Sequence, residues 1–234
     1  MKHFLLSIFG LAFLFSSINV NAQHTKSIKD IFYLLPDSVF TDIPQLNFAV
    51  KDSFPIPERD KMIENFDAKK KSFTAKDPRF HITALNDKNN LIAATNGELN
   101  FNVKVWAQTN NETLIAVEGN YKEDMGLSQT IKFYNYKGGK FISVKVLPEP
   151  ISASLFFETS YLQKQGVEPN TPVPDLFIVF SKTGGEELQV RIQKEIFDEE
   201  LHGTKATFTK LSYIKISRPD LILNLKDGKF VITK

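Results

Sequence analysis

The 234 residues contain no cysteine. A chain exported to an oxidising compartment could draw on disulfides, so this one has to hold together by packing alone. The same absence excludes thiol nucleophiles and thiolate metal sites. Histidine is nearly as scarce. Of the four, His3 stands at the extreme N-terminus, and His24, His81 and His202 show neither H-x-H nor H-x-x-x-H spacing. No metal or cofactor is therefore expected. His81 opens a predicted strand, where a lone imidazole without an orienting partner is usually structural. Charge of one sign is lacking too. Twenty-nine basic and 27 acidic side chains leave a formal charge of +2, too small for the whole chain to attract nucleic acid or an anionic membrane at long range.

Catalytic signatures are also missing. No Ser lies in a G-x-S-x-G elbow, and no S-x-x-K stands near the start of a predicted helix. Lys137-Gly138-Gly139-Lys140 lacks the longer glycine loop and following helix of a phosphate-binding loop, and is a hairpin turn. Asp30, Asp37, Asp52, Glu58, Asp60, Glu64 and Asp67 crowd the N-terminal quarter. Their spacing singles out no pair for polysaccharide hydrolysis, and most fall where acidic residues cap helices or solvate loops.

What the chain does have begins with an address. Lys2 and His3 precede the almost wholly apolar run Phe4 to Phe15, and Val20-Asn21-Ala22 places small residues at −3 and −1 of a cut before Gln23. This is the layout of a secretory signal peptide over 1–22. The alternative, a retained membrane anchor, is disfavoured because a spanning helix needs about 20 apolar residues. No cysteine follows the run for lipid attachment. The mature chain is expected to be periplasmic or secreted, with no transmembrane segment.

Ile28, Ile31, Phe32 and Leu35 fall on one face of a helix over 25–35, which Ser27 or Thr25 can cap and Pro36 stops. Residues 36–56, with Pro36, Pro44 and Pro55, are expected to be irregular. Pro57 starts a second helix whose apolar face is Met62, Ile63 and Phe66, closed by Lys69, Lys70 and Lys71. From Phe80 the period becomes two. Strands are predicted at 80–85, 90–95, 100–108, 112–121, 128–136 and 139–146, with turn signals at Asn86-Asp87, Asn96-Gly97, Asn110-Asn111 and Gly138-Gly139. The sequon Asn111-Glu112-Thr113 marks that turn as exposed. Short connections imply an antiparallel meander. A helix over 152–165 ending at Gly166 follows, then strands near 175–182, 187–195, 206–216, 221–226 and 229–233.

Two stretches recur. Val105-Trp106, Thr109, Glu112 and Leu114 match Val179-Phe180, Thr183, Glu186 and Leu188 at an offset of 74. Asn135 to Phe141 matches Asn224 to Phe230 at an offset of 89, so 15 extra residues fall in the second copy, with Phe197 to Leu211 the natural place. The expected fold class is α+β, in two tandem units of helix packed on antiparallel meander, 23–150 and 151–234. The competing account is that hairpin loops favour Gly and Asn anyway.

Alternation also nominates a surface. Asn102, Lys104, Trp106 and Gln108 share one strand face, and Lys132, Tyr134 and Tyr136 share one face of another. If both lie away from the helices, Trp106, Tyr134 and Tyr136 with Lys104 and Lys132 form an aromatic partner-binding face rimmed by lysine. The other possibility, slightly the better, is that this face is covered by the second unit or the N-terminal loop, since aromatics also dominate cores.

The helix ending in Leu35-Pro36-Asp37-Ser38, with Thr113 to Glu118 and Ser128 to Tyr134, resembles a family of small exported proteins of unknown function from anaerobic gut bacteria. This chain lacks the cysteines that members can carry between those strands. The family has no established activity, so the resemblance implies no site residues. It does imply tandem helix-plus-sheet units like those of secreted β-lactamase inhibitors, which bind a protein across a concave sheet. The expectation from sequence is a non-enzymatic exported binding protein with a protein or cell-envelope ligand. The alternative is a secreted hydrolase of envelope or dietary polymers, and a third possibility is a structural envelope component.

Overall fold

The computed structural model describes residues 26–46, 56–67, 80–88, 90–108, 112–123, 126–174, 176–180, 185–197 and 207–233. The signal segment, His24, His202, Lys69 to Lys71, the Asn110-Asn111 turn and Asp198-Glu199-Glu200 lie outside them. The class is α+β. A six-stranded sheet carries helices on one face and a four-stranded sheet on the other.

The helical layer starts with α1 (Ile28–Leu34). The Ser27 hydroxyl accepts the Asp30 N–H and the Asp30 carboxylate accepts the Ser27 N–H, a reciprocal capping box. Pro36 ends that helix and also precedes a second, α2 (Asp37–Thr41), inside the segment expected to be irregular. Val39, Phe40, Ile43 and Leu46 are buried there, at helical spacing that the flanking prolines disguised. The third helix, α3, spans Ile56–Asp67 and buries Met62 and Ile63.

Strands β1 (His81–Asn86), β2 (Leu91–Thr95), β3 (Leu99–Ala107), β4 (Thr113–Glu123), β5 (Gly126–Lys137) and β6 (Lys140–Val144) pair in sequence order, every pair antiparallel. Phe101, Val103, Val105, Ile115 and Val117 face the helices and form one core with Ile28, Ile31, Phe32 and Phe40. Gly119 lies in close contact with this layer. A Cβ there would stand 2.6 Å from Ile43 Cγ2 and 2.9 Å from Leu46 Cγ, so only a glycine admits the segment after α2.

The segment expected as one helix over 152–165 is a 3₁₀ turn at Ala153–Leu155 followed by α4 (Thr159–Lys164). Strands β7 (Leu176–Phe180), β8 (Glu187–Ile192), β9 (Asp220–Lys226) and β10 (Lys229–Ile232) form the second sheet, again in sequence order. The strand expected over 206–216 is absent, and 3₁₀ turns at Thr207–Lys210 and Tyr213–Lys215 stand in its place. Phe208 and Leu211 are buried at a spacing of three, the repeat of a 3₁₀ helix rather than a strand.

The matched hairpins correspond locally. Gly138-Gly139 and Asp227-Gly228 both turn with positive φ (55° and 80°, 50° and 77°), between the last two strands of each sheet. Trp106 pairs with Leu114 as Phe180 pairs with Leu188. The two hairpins meet differently, however. Leu114 faces Asn135, whereas Leu188 faces Leu223 rather than Asn224. A one-residue slip moves side chains to the opposite face, so the offsets relate hairpins, and descent of two whole units from one stays a proposal.

Candidate functional site

Register overturns the expected aromatic face. Trp106 pairs with Leu114, which pairs with Asn135. Tyr134 pairs instead with Ile115, on the helix side. Trp106 and Tyr134 therefore point to opposite faces of the six-stranded sheet, and both are buried, at 2% and 4% exposure. The Tyr134 hydroxyl donates to Asp42 at 3.3 Å. Burial and that carboxylate raise its pKa to about 12. Tyr136 is half-buried with its ring 4.8 Å from Phe141, and Lys132 is exposed. The second sheet covers the Trp106 side, with ring centroids 5.3 Å to Phe230 and 6.1 Å to Phe180. Its indole Nε1 is buried with no hydrogen-bond partner among the described residues. Lys104, expected on the rim, is 2% exposed, with Nζ 5.7 Å from the Trp106 ring. Burial lowers its ammonium pKa.

Further along the same face the lining turns polar. Glu118 is 3% exposed. Its carboxylate accepts from Asn102 Nδ2 (3.0 Å), Asn120 Nδ2 (2.6 Å) and Gln129 Nε2 (2.7 Å). Burial pushes the carboxyl above its usual range, and the three amide donors pull it back in part. Gln129 also reaches across the layers. Its Nε2 donates to Ile178 O and its Oε1 accepts the Ile178 N–H, both at 2.8 Å. A buried carboxyl with a shifted pKa is often a mark of an active site, but here Glu118 is enclosed between the sheets, where no polymer can reach it. Sequence reasoning passed over Glu118 because Asn100, Asn102, Glu118, Asn120 and Gln129 recur at every second position, the pattern of a solvated face.

Asp52 of the acidic N-terminal quarter lies outside the described residues, and three of the other acids are put to structural use. Asp30 caps α1, Asp67 pairs with Lys29 at 3.0 Å, and Asp37 pairs with Arg59. Arg59 is fully buried. It donates to Asp37 and to the carbonyls of Leu35 and Phe32, and its guanidinium lies 5.0 Å from the Phe40 ring centroid. Burial lowers its pKa and Asp37 offsets this in part. Among the described residues no three His, Cys, Asp or Glu gather as a metal site, and no helix is long and apolar enough to cross a membrane.

The exposed surface offers a different feature. Tyr213 and Ile214 are consecutive exposed apolar residues, at 42% and 84%. The turn that presents them is pinned at both ends. The Ser212 N–H donates to the Tyr161 hydroxyl at 2.9 Å, and the Ser217 and Arg218 N–H groups donate to Phe156 O at 2.8 and 3.2 Å. Behind it, aromatic rings step outward from buried Phe157 to Phe197 (6.0 Å) and on to Tyr213 (5.8 Å).

The protein thus belongs to a class defined by its layers, helices over a six-stranded meander backed by a smaller antiparallel sheet. Among solved structures it is similar to a domain of an uncharacterized protein from Porphyromonas gingivalis W83, with 15% identity, a TM-score of 0.51, and coverage of 88% of this chain and 97% of that chain. At that identity the likeness is one of fold. No family model and no curated protein matches the chain. A neighbour that is itself uncharacterised accords with the resemblance to proteins of unknown function, and it carries nothing about tandem units.

Proposed function

We propose that this is an exported, non-enzymatic binding protein whose ligand is a protein or cell-envelope component. Its contact surface is the Tyr213–Ile214 turn rather than the Trp106 face. The observation that supports this is an aliphatic side chain 84% exposed on a turn hydrogen-bonded at both ends. A rigid apolar anchor loses little freedom on binding, which is where much of the cost of association lies. The test is retention of an envelope fraction by the immobilised protein, compared with an Ile214→Asp variant. Retention lost in the variant at unchanged melting temperature supports the reading, and equal retention overturns it. Export is tested by intact mass in the native host, which should show an N-terminus at or next to Gln23.

A hydrolase is the second reading, and Glu118 with its raised pKa is the observation that favours it. Its enclosure weighs against it, since a general acid must reach the leaving oxygen. Polymer hydrolysis that disappears in Glu118→Gln would establish this alternative.

A further inference from the structure

We propose that the Tyr213–Ile214 turn seats the protein on an anionic lipid surface. This deepens the binding reading by naming the chemistry of the ligand. Three observations carry it.

The first is local charge. The chain as a whole is close to balanced, at +2. Between Thr207 and Pro219, however, it carries Lys210, Lys215 and Arg218 and no carboxylate. All three cations are exposed and lie within four residues of Ile214, and none makes an ion pair among the described residues. No carboxylate within the turn itself offsets them, and their field falls off over about a Debye length, roughly 8–10 Å. It therefore acts on a surface in contact rather than as a long-range attraction.

The second is the size of the apolar feature. One 3₁₀ turn presenting a single aliphatic and a single aromatic side chain falls far short of the roughly 800 Å² per partner of a stable protein interface. Contact with a bilayer needs no complementary pocket. A few apolar side chains enter the headgroup boundary while flanking lysines and arginines remain among the phosphates.

The third is orientation. Leu211 is buried and Ile216 half-buried, so the turn already spends its inward positions on the core. Ile214 is the residue left pointing outward, and Tyr213 beside it has the apolar body and polar tip suited to the headgroup region. The bonds to Tyr161 and Phe156 hold this arrangement before contact.

The experiment is co-sedimentation of the secreted protein with vesicles of phosphatidylcholine alone and of equal parts phosphatidylcholine and phosphatidylglycerol. Binding is expected to the anionic vesicles and not to the neutral ones, and to weaken as salt is raised. Lys215→Gln and Arg218→Gln should each lower the partition coefficient about fivefold. Ile214→Asp should abolish binding, with unchanged melting temperature in all three variants. No binding to anionic vesicles, equal binding to both compositions, or partition unaffected by the three substitutions would overturn the proposal. Binding to polyglutamate without binding to vesicles would also overturn it, in favour of an acidic protein partner. If Ile214→Asp still abolishes retention of the envelope fraction while vesicles fail to bind, the lipid assignment falls and the binding reading stands.

Discussion

Replacing Trp106 by alanine tests whether the two sheets share one core. The indole is the only one in the chain, 2% exposed, with Phe230 and Phe180 of the second sheet at 5.3 and 6.1 Å. Truncating a buried Trp costs about 3–5 kcal/mol through lost transfer energy and the cavity left behind. The site cannot collapse easily, because Leu114, Phe133 and Leu188 around it belong to paired strands. A central value of about 4 kcal/mol is therefore reasonable, and for a chain of this size it lowers the melting temperature by roughly 8–16 °C. Circular dichroism at a strand wavelength measures it, since the variant has lost its fluorophore. Trp106→Phe sharpens the test. It keeps a ring in the cavity and removes an N–H that is buried with no partner among the described residues, which itself costs about 1–3 kcal/mol. The phenylalanine variant should therefore lose less than half of what the alanine variant loses. An alanine variant melting within about 2 °C of the parent would place Trp106 outside the core and refute the layer arrangement.

Other substitutions probe the remaining contacts. Arg59→Ala should cost about 3–5 kcal/mol in denaturant unfolding, because it empties a buried site that ties α3 to α1 and α2. Asp37→Asn takes the carboxylate from that buried guanidinium, but at a side chain 57% exposed water replaces part of it, so the cost should be smaller than that of Arg59→Ala. Gly119→Ala should cost about 1–3 kcal/mol by overpacking against Ile43 and Leu46, and a neutral outcome would mean the segment after α2 sits further off. Glu118 has a carboxyl pKa raised in the fold, so its stabilisation is full below the unfolded value and declines as pH rises through the folded one. Unfolding of Glu118→Gln across pH should show the variant gaining on the parent from acid toward neutral pH, and a gain in the opposite direction would refute the assignment.

Much of the fold was legible because local chemistry and global packing agree. The six strands of the first sheet follow from alternation, with Asn or Gly turn signals at four of their five connections, and α1 from its apolar stripe and Ser27. What failed did so for identifiable reasons. Around Pro36 and Pro44, proline was taken as a sign of irregular chain, although Val39, Phe40, Ile43 and Leu46 keep helical spacing. Over 206–216 a period of three was taken for a period of two. The candidate site failed at a different level. Alternation within a strand assigns relative faces, but only pairing assigns one strand's faces relative to the next. Alternation supplies no register that joins Trp106 to Tyr134, and nothing local in the stripe ending at Gln129 announces a second sheet.

That stripe has a consequence of its own. The face meeting the second sheet is apolar at Trp106, Leu114 and Phe133, and such contacts tolerate sliding because they have no direction. At its other end Gln129 supplies direction. β7 is an edge strand, and the N–H and C=O of Ile178 point away from β8 toward the Gln129 amide, which answers both as a neighbouring strand would. The second amide proton goes to Glu118, so every polar atom of the side chain is engaged. Gln129→Ala strands two backbone groups of a buried residue and should cost about 2 kcal/mol or more. Its distinctive sign is local. Exchange of the Ile178 amide should accelerate well beyond the global change, while Trp106 emission stays as in the parent. Gln129→Glu should be worse at neutral pH, setting a carboxylate against Glu118 and the Ile178 carbonyl, and should recover as acid protonates it. An Ile178 amide that exchanges no faster in Gln129→Ala would show that the sheets are aligned by their apolar contacts alone.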